Sequence, residues 1–206
     1  MRRTKQESEQ TRQQILTAAR HEFAMHGVTR TTLQRIAAAA CVTRGAVYWH
    51  FANKLELFRA MRDQVSVPLF DHTDLLGADG PDPLRTIERF LRGVFDRTAA
   101  DLQTRRTFDI LALKCEYVDE FRPELKRHAR RSKELMSKFA LVYKRARDMG
   151  AMREDLAPEI AALGTCVFVT GMLRLWLMDE DRSLLRPRVD SLIAGHIAML
   201  RAPAGR

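Results

Sequence analysis

The residues best equipped for chemistry lie in one short run, Thr43-Arg44-Gly45-Ala46-Val47-Tyr48-Trp49-His50. A hydroxyl suited to capping a helix is followed by guanidinium, phenol, indole and imidazole groups, with two nearly bare positions between. Wound as a helix, the run turns Val47 and Phe51 inward at i, i+4 and leaves Thr43, Arg44, Gly45, Tyr48 and His50 outside. Gly45 and Ala46 let such a helix approach a groove closely. Arg44 can bridge guanine O6 and N7 or rest on a phosphate. Tyr48, Trp49 and His50 hold polar and stacking groups near the backbone. This is the chemistry of reading a duplex, not of breaking bonds. Taken singly, each residue has a plainer use: Thr43 as a cap, Tyr48 or Trp49 as core aromatics, Arg44 as a solvated charge. Their conjunction within one basic module favours DNA.

Catalysis has no comparable set of groups. His21, His26, His50, His72, His128 and His196 are scattered. Neither a nucleophile elbow nor a glycine-rich phosphate loop is present, so an enzyme is excluded. His50 lacks a Cys, Asp or second His at metal-ligand spacing. Cys41, Cys115 and Cys166 are too few and too scattered for a zinc site or a disulfide framework. No metal and no cofactor are expected, and the thiols suit a reducing compartment. The polar N-terminus carries no signal-peptide core. The most apolar stretch, Cys166 to Met178, is shorter than the roughly 20 residues that span a bilayer and contains Arg174. A cytoplasmic protein with no membrane partner is the expectation.

The elements that must position the run are helices. The 206 residues are 46% hydrophobic and 30% charged, enough to close a core without staples. Proline and glycine are sparse and fall between periodic segments, so the chain reads as all-α with about nine helices. Helix one is expected over 9–25, with Ile15, Ala18, Ala19 and Phe23 inward and Gly27 as its C′ residue. Thr31 opens a short second helix, with Gln34 at capping-box spacing. Cys41-Val42-Thr43 breaks it, and Thr43 caps a third helix over 44–51. Asn53 and Glu56 open a fourth, with Leu57, Phe58, Met61 and Val65 inward. Residues 77–83 hold the strongest breakers, and Asp82-Pro83 reads as N-cap and N1 of helix five. Further helices are expected over 102–117, over 123–148, from Pro158 onward, and over 188–201.

Helix, three-residue turn, helix over about 32–51 is the arrangement that lays its second helix in a major groove. Thr31, Thr32 and the exposed N–H groups beside them can grip a phosphate, and Lys54 adds a charge at the start of helix four. The charge distribution agrees. Residues 1–60 carry ten basic and four acidic side chains, a net of +6 out of the whole chain's +9. The expected division is a helix-turn-helix domain over 9–55 and a larger helical domain over 56–206.

Residues 12–58 closely resemble the TetR family of transcriptional regulators. The resemblance lies in Thr31-Thr32-Leu33-x-x-Ile36-Ala37 and in Val42 to Phe51 followed by x-x-Lys54-x-x-Leu57-Phe58. The Thr-Arg-Gly-Ala-Val-Tyr-Trp-His-Phe form is similar to the branch containing the acridine-efflux repressor and other repressors of multidrug efflux pumps. Lys5-Gln6-Glu7 and Lys114-Cys115-Glu116-Tyr117 are similar to that branch too. The resemblance implies a homodimeric repressor on a palindromic double-stranded DNA operator, released by a small hydrophobic effector. It places Thr31, Thr32, Thr43, Arg44, Gly45, Tyr48, Trp49, His50 and Lys54 at DNA-facing or phosphate-facing positions. One residue departs from it: the family usually has Gly where this chain has Cys41. A cysteine with positive φ costs about 1 kcal/mol, so the turn is expected to adjust, with a redox role for the thiol as the alternative.

The body, residues 84–200, has more apolar-striped helices than a small head requires. Phe90, Phe108, Phe139, Phe168, Met172 and Trp176, with Cys115 for a polar contact, are candidates to line an effector pocket; plain core packing is the alternative. Asp109 and Glu116, seven apart on helix six, would select a cationic compound or form a solvent-facing pair. Leu163, Gly164, Val167, Gly171 and Leu175, with Leu192, Gly195, His196 and Met199, are candidates for a four-helix dimer interface. The basic run Lys126-Arg127-His128-Ala129-Arg130-Arg131-Ser132-Lys133 reads as a solvated face of helix seven rather than a second nucleic-acid site. Three other functions remain open: a constitutive architectural DNA binder, an activator, and a regulator of an operon other than an efflux operon.

Overall fold

The computed structural model describes residues 5–71, 76, 81–181 and 183–203. Among them are nine α-helices: α1 (Lys5–His26), α2 (Leu33–Ala39), α3 (Arg44–His50), α4 (Lys54–Asp71), α5 (Pro83–Ala100), α6 (Leu102–Asp109), α7 (Arg122–Asp148), α8 (Pro158–Met178) and α9 (Val189–Leu200). The all-α expectation holds. The described residues contain no strand beyond an isolated antiparallel bridge between Met152 and Arg201. Part of the expected breaker segment, 77–80, lies outside the described residues. The chain divides into two compact units. Unit 1 joins Met1–Pro68 to Asp101–Glu124, and unit 2 joins Leu69–Ala100 to Leu125–Arg206.

Unit 1 is assembled on α1. Ile15, Leu16, Ala19 and Phe23 recur at helical spacing and are fully buried, as are Val28, Ile36, Val47, Leu57, Phe58, Met61 and Ile110. Phe58 holds the centre, meeting Phe23 edge-on at 6.2 Å and Phe121 at 5.2 Å. The helix starts follow sequence. Thr43 Oγ1 accepts from Ala46 N at 3.1 Å, and Asn53 Oδ1 accepts from Glu56 N at 2.9 Å. The Glu56 carboxylate in turn accepts from Ala52 N at 2.7 Å. The cap of α2 lies one residue later than expected. Thr32, not Thr31, accepts from the third helical N–H, that of Arg35, so Gln34 closes no box.

Two further expectations change in unit 1. The turn after α2 does not adjust: Cys41 keeps a left-handed φ of 52°. Its N–H donates to Ala38 O at 3.1 Å while Val42 N–H donates to Ala37 O at 3.0 Å. That pair of bonds is a Schellman termination, and Val42 packs against the core behind it. Together these gains outweigh the Cβ penalty. Helix six, expected over 102–117, ends early. After α6 come a π-helical turn at Ile110–Lys114 and an extended Cys115. The last carbonyls are satisfied from outside the helix: Lys114 O accepts from Val28 N at 3.1 Å and Leu111 O from the Tyr117 hydroxyl at 2.9 Å.

In unit 2, Asp82 caps α5 through Arg85 N at 3.1 Å, with Pro83 at N1 as expected. Leu84, Ile87, Leu91, Val94 and Phe95 form its buried stripe. Arg92 of α5 pairs with Asp190 of α9, and Arg201 pairs with Asp82 at 2.8 Å. On α7, Phe139, Val142, Tyr143 and Ala146 are buried, whereas Leu125 is exposed. The apolar segment near Cys166 belongs to the full 21-residue α8, which by length and composition alone could cross a membrane. A core helix of a soluble domain passes the same test. In unit 2 the fully buried Thr165 of α8 is hydrogen-bonded to Tyr143 of α7 at 2.6 Å and to His196 of α9 at 2.9 Å.

Candidate nucleic-acid interface

Helix α3 buries only Val47 and offers the rest of its surface. Thr43, Arg44, Gly45, Tyr48 and Trp49 are exposed, Trp49 to 73%, and His50 is half-buried. Arg44 and Tyr48, one turn apart, hold each other. The guanidinium donates to Tyr48 Oη at 3.2 Å and lies 5.3 Å from the ring centroid. Such an exposed cation–π pair is worth about 0.5–1 kcal/mol and leaves the other guanidinium donors available for a base edge. The indole of Trp49 stands edge-on to the His50 ring at 4.6 Å. Gly45 meets nothing closer than the Thr43 hydroxyl at 3.9 Å, so the start of α3 is a smooth, open surface.

Three of the sequence-nominated residues have other partners. Thr31 is fully buried, and its hydroxyl lies 2.7 Å from Gly27 O and 3.2 Å from Glu22 O. The Lys54 ammonium donates to Val28 O and Thr29 O, both at 3.1 Å, and sits 3.8 Å from Glu120 and 5.6 Å from the Phe121 centroid. Both residues therefore brace the turn between α1 and α2 from within. The third, Thr32, is exposed and caps α2. The starts of α2 and α4 also carry first-turn N–H groups without an intrahelical acceptor, the usual partner of a phosphate oxygen.

Sequence reasoning missed the groups that lock this frame. Glu22 bridges Arg35 of α2 at 2.5 Å and lies 3.7 Å from His26. Burial alone would raise its carboxyl pKa, but hydrogen bonds from Arg35 and His21, together with nearby positive charge, bring it below the ordinary value. Glu124 does the same at the other end of unit 1, where Arg59 (2.7 Å) and Arg62 of α4 converge on it. Again burial opposes ionisation, and the two guanidinium partners win. Local spacing does not signal the arginine partners of either carboxylate, which are 13 to 65 residues away.

The effector candidates divide between the units. In unit 2, Phe90 and Phe139 pack edge-on at 5.5 Å, and Trp176 packs on Phe95 at 5.5 Å. Met172 is buried, and Phe168 stacks on His196 at 4.2 Å. Phe108, Asp109 and Cys115 belong to unit 1 and are half-buried. Burial pushes the Cys115 thiol up to about 11, with Glu124 and Glu116 adding to it. Asp109 is raised by burial, which Lys114 and Arg105 oppose. Because the helix ends before Cys115, Asp109 and Glu116 do not share a helical face. A broad groove of about 1330 Å³ runs along α1 and the Cys41 turn, but it is open and lined by polar groups such as Gln6, Gln10 and Gln13.

The dimer candidates form an exposed apolar face. On α8, Leu163, Val167 and Leu175 are exposed, with Gly164 and Gly171 between them. On α9, Leu192, Gly195 and Met199 are exposed. A Cβ added at any of the three glycines would meet no atom within 4 Å. His196 differs. It is buried, and its Nε2 points to Thr165 rather than outward.

An exposed α3 on a three-helix head, followed by a larger helical body, defines a helix-turn-helix transcription regulator. The chain belongs to the tetR family of bacterial regulatory proteins: residues 15–61 match that family's model, and residues 82–202 match the C-terminal region of MAATS-type transcriptional repressors. It is 36% identical over 209 residues to the HTH-type transcriptional regulator TtgR of Pseudomonas putida, covering 100% of this chain and 99% of that protein. Its fold is similar to NalD, the secondary repressor of the MexAB-OprM multidrug efflux pump in Pseudomonas aeruginosa. That match has a TM-score of 0.85 and 31% identity, over 97% of this chain and 100% of NalD. It is also similar to SmeT in its triclosan complex, with a TM-score of 0.81 and 30% identity over 94% and 93% of the two chains. SmeT represses the SmeDEF multidrug efflux pump of Stenotrophomonas maltophilia.

Proposed function

We propose that the protein is a homodimeric repressor that reads a palindromic operator with two copies of α3, is released by a small hydrophobic compound, and controls a multidrug efflux operon. The observation that carries this reading is the open face from Thr43 to His50, with Arg44 already braced by Tyr48. In the proposal Arg44, Tyr48, Trp49 and His50 meet base edges and sugars, and Gly45 permits the approach. Thr32, Thr43 and the backbone at Lys54 hold phosphates, while Thr31 and the Lys54 ammonium fix the frame behind them. Two heads are needed because a helix of two turns reads only a few bases. The apolar stripe of Leu163, Val167, Leu175, Leu192 and Met199, flattened by Gly164, Gly171 and Gly195, is proposed to join the protomers. The effector site is proposed to lie among Phe90, Phe139, Phe168, Met172 and Trp176. Kinship with repressors of efflux pumps, one of them solved with triclosan, supports the efflux assignment.

An effector releases DNA only through its different affinity for the two shapes of the protein. The test is selection from a random duplex library with the purified full chain, followed by titration of the selected duplex with triclosan and a panel of apolar drugs. A palindromic consensus and a ligand-dependent loss of affinity are expected. Failure to select any sequence overturns the operator reading, and saturation by ligand without loss of DNA affinity overturns the switch.

A further inference from the structure

Arg20 of α1 is a guanidinium shut inside unit 1, only 2% exposed. Its Nε donates to Thr107 Oγ1 of α6 at 3.0 Å and its Nη2 to Gln64 Oε1 of α4 at 2.8 Å, so it joins three helices. Both acceptors are neutral. Burial pulls the Arg20 pKa down, while the charge of Asp101 works the other way. A guanidinium keeps its proton all the same, and a buried charge is costly unless other groups answer it. Here the answer comes through two amides. Gln64 Nε2 donates to Gln13 Oε1 at 2.6 Å, and Gln13 Nε2 donates to Glu9 Oε1 at 2.6 Å. Every donor points the same way, from a group that can only donate to one that can only accept. Arg20 and Glu9 therefore form an ion pair relayed by two amides, each link polarising the next. Gln13 and Glu9 are exposed, so the inner link between Arg20 and Gln64 carries most of the hold.

This clasp opposes the other polar hold on α4. At 100° per residue, Gln64 leaves the helix about 140° round from Arg59 and about 200° round from Arg62, the two residues that grip Glu124. The apolar contacts of Leu57, Phe58 and Met61 are non-directional and let a helix roll or tilt. Two opposed polar stays do not. Gln64 lies about 15 Å along α4 from Lys54, so each ångström of movement there tilts the helix by about 4°. The joint to α3 transmits that tilt, because it is stiff: Asn53 Oδ1 accepts from Glu56 N, and the Glu56 carboxylate accepts from Ala52 N. From this arrangement we infer that Arg20 and Gln64 are positioning residues for operator reading. Their bond sets the tilt of α4 and, through the joint at Ala52–Glu56, the angle at which α3 presents Arg44 and Tyr48. Neither residue touches DNA in this role.

This inference rests on the operator reading above, and the duplex selected there separates the two. Replacing the buried Arg20 would disturb the core as well, so the decisive variants lie at Gln64, which is half-buried. Gln64→Leu removes both of its bonds at nearly constant volume. Gln64→Glu keeps an acceptor for Arg20, and Gln13 can turn its amide to donate to the new carboxylate. Affinities of the full chain for the selected duplex and for a scrambled one are measured at one salt concentration, with circular-dichroism melts to check that both variants fold. Gln64→Leu should lose about 5-fold on the selected duplex, the worth of one hydrogen bond. On the scrambled duplex it should lose no more than about 2-fold, since phosphate contacts carry no sequence information. Gln64→Glu should bring the ratio of the two affinities back to the wild-type value. A bond that merely stabilised the fold would leave that ratio unmoved. An unchanged ratio in Gln64→Leu, or a fall that Gln64→Glu does not repair, overturns the inference and leaves operator reading standing. Failure to select a duplex at all removes both.

Discussion

Cys41→Gly should stabilise the protein, because Cys41 is held at φ 52° by the Schellman bonds from its own N–H and from that of Val42. A left-handed non-glycine residue costs about 1–2 kcal/mol. Glycine removes that cost and returns about 0.4–1 kcal/mol through its freer unfolded chain. The net gain expected is about 0.5–1 kcal/mol, which for a chain of this length raises the melting temperature by roughly 1–4 °C. Because the side chain is exposed, loss of packing does not enter the balance. Cys41→Ala keeps the Cβ and lacks the thiol, so it should melt with the wild type. Thermal melts of the three proteins followed at 222 nm decide the matter. If Cys41→Gly melts no higher than Cys41→Ala, the turn stores no such strain.

Arg44→Ala should cut the preference for the selected duplex over a scrambled one by about 1–3 kcal/mol. Equal losses on both duplexes would reassign Arg44 to the backbone. Tyr48→Phe keeps the ring beneath the guanidinium and should cost only a few-fold in duplex affinity. Glu124→Gln removes the buried charge shared by Arg59 and Arg62, leaving Arg62 only Asp63, and should destabilise unit 1 by about 3 kcal/mol, read by urea unfolding. The depressed Glu124 carboxyl also fixes a pH sign. Its contribution is full above the unfolded value near 4.3 and fades as pH falls through the lower folded value. Wild-type stability should therefore drop below about pH 4.5 more steeply than that of the variant. Val167→Asp sets like charges against the proposed two-fold axis and should yield monomers by sedimentation with unchanged helicity. A dimer that survives it places the interface elsewhere.

What sequence disclosed depended on the range of the interaction. Caps formed by Thr43, Asn53 and Asp82 act within four residues, so their side chains announce the helix starts. The inward stripe of α1 was equally plain, since burial repeats with the helix period. The failures have the opposite character. Thr31 was indistinguishable from Thr32 until Gly27 and Glu22 offered their carbonyls. Lys54 looked like a surface charge because its carbonyl partners lie about 25 residues away. The end of α6 was hidden because Val28, far upstream, takes the carbonyl of Lys114. On α3, residue types alone named the outward face, while the Arg44–Tyr48 brace had to be seen in place.

Unit 1 draws on two stretches of chain, and this has a consequence for biosynthesis. Phe58, Arg20 and Arg62 find Phe121, Thr107 and Glu124 only after α6 and the start of α7 exist. At about 5–20 residues per second, a ribosome spends several seconds between delivering α4 and delivering Glu124. During that interval the nascent reader has an open apolar flank, and Arg20 and Arg62 have only their nearer partners, Gln64 and Asp63.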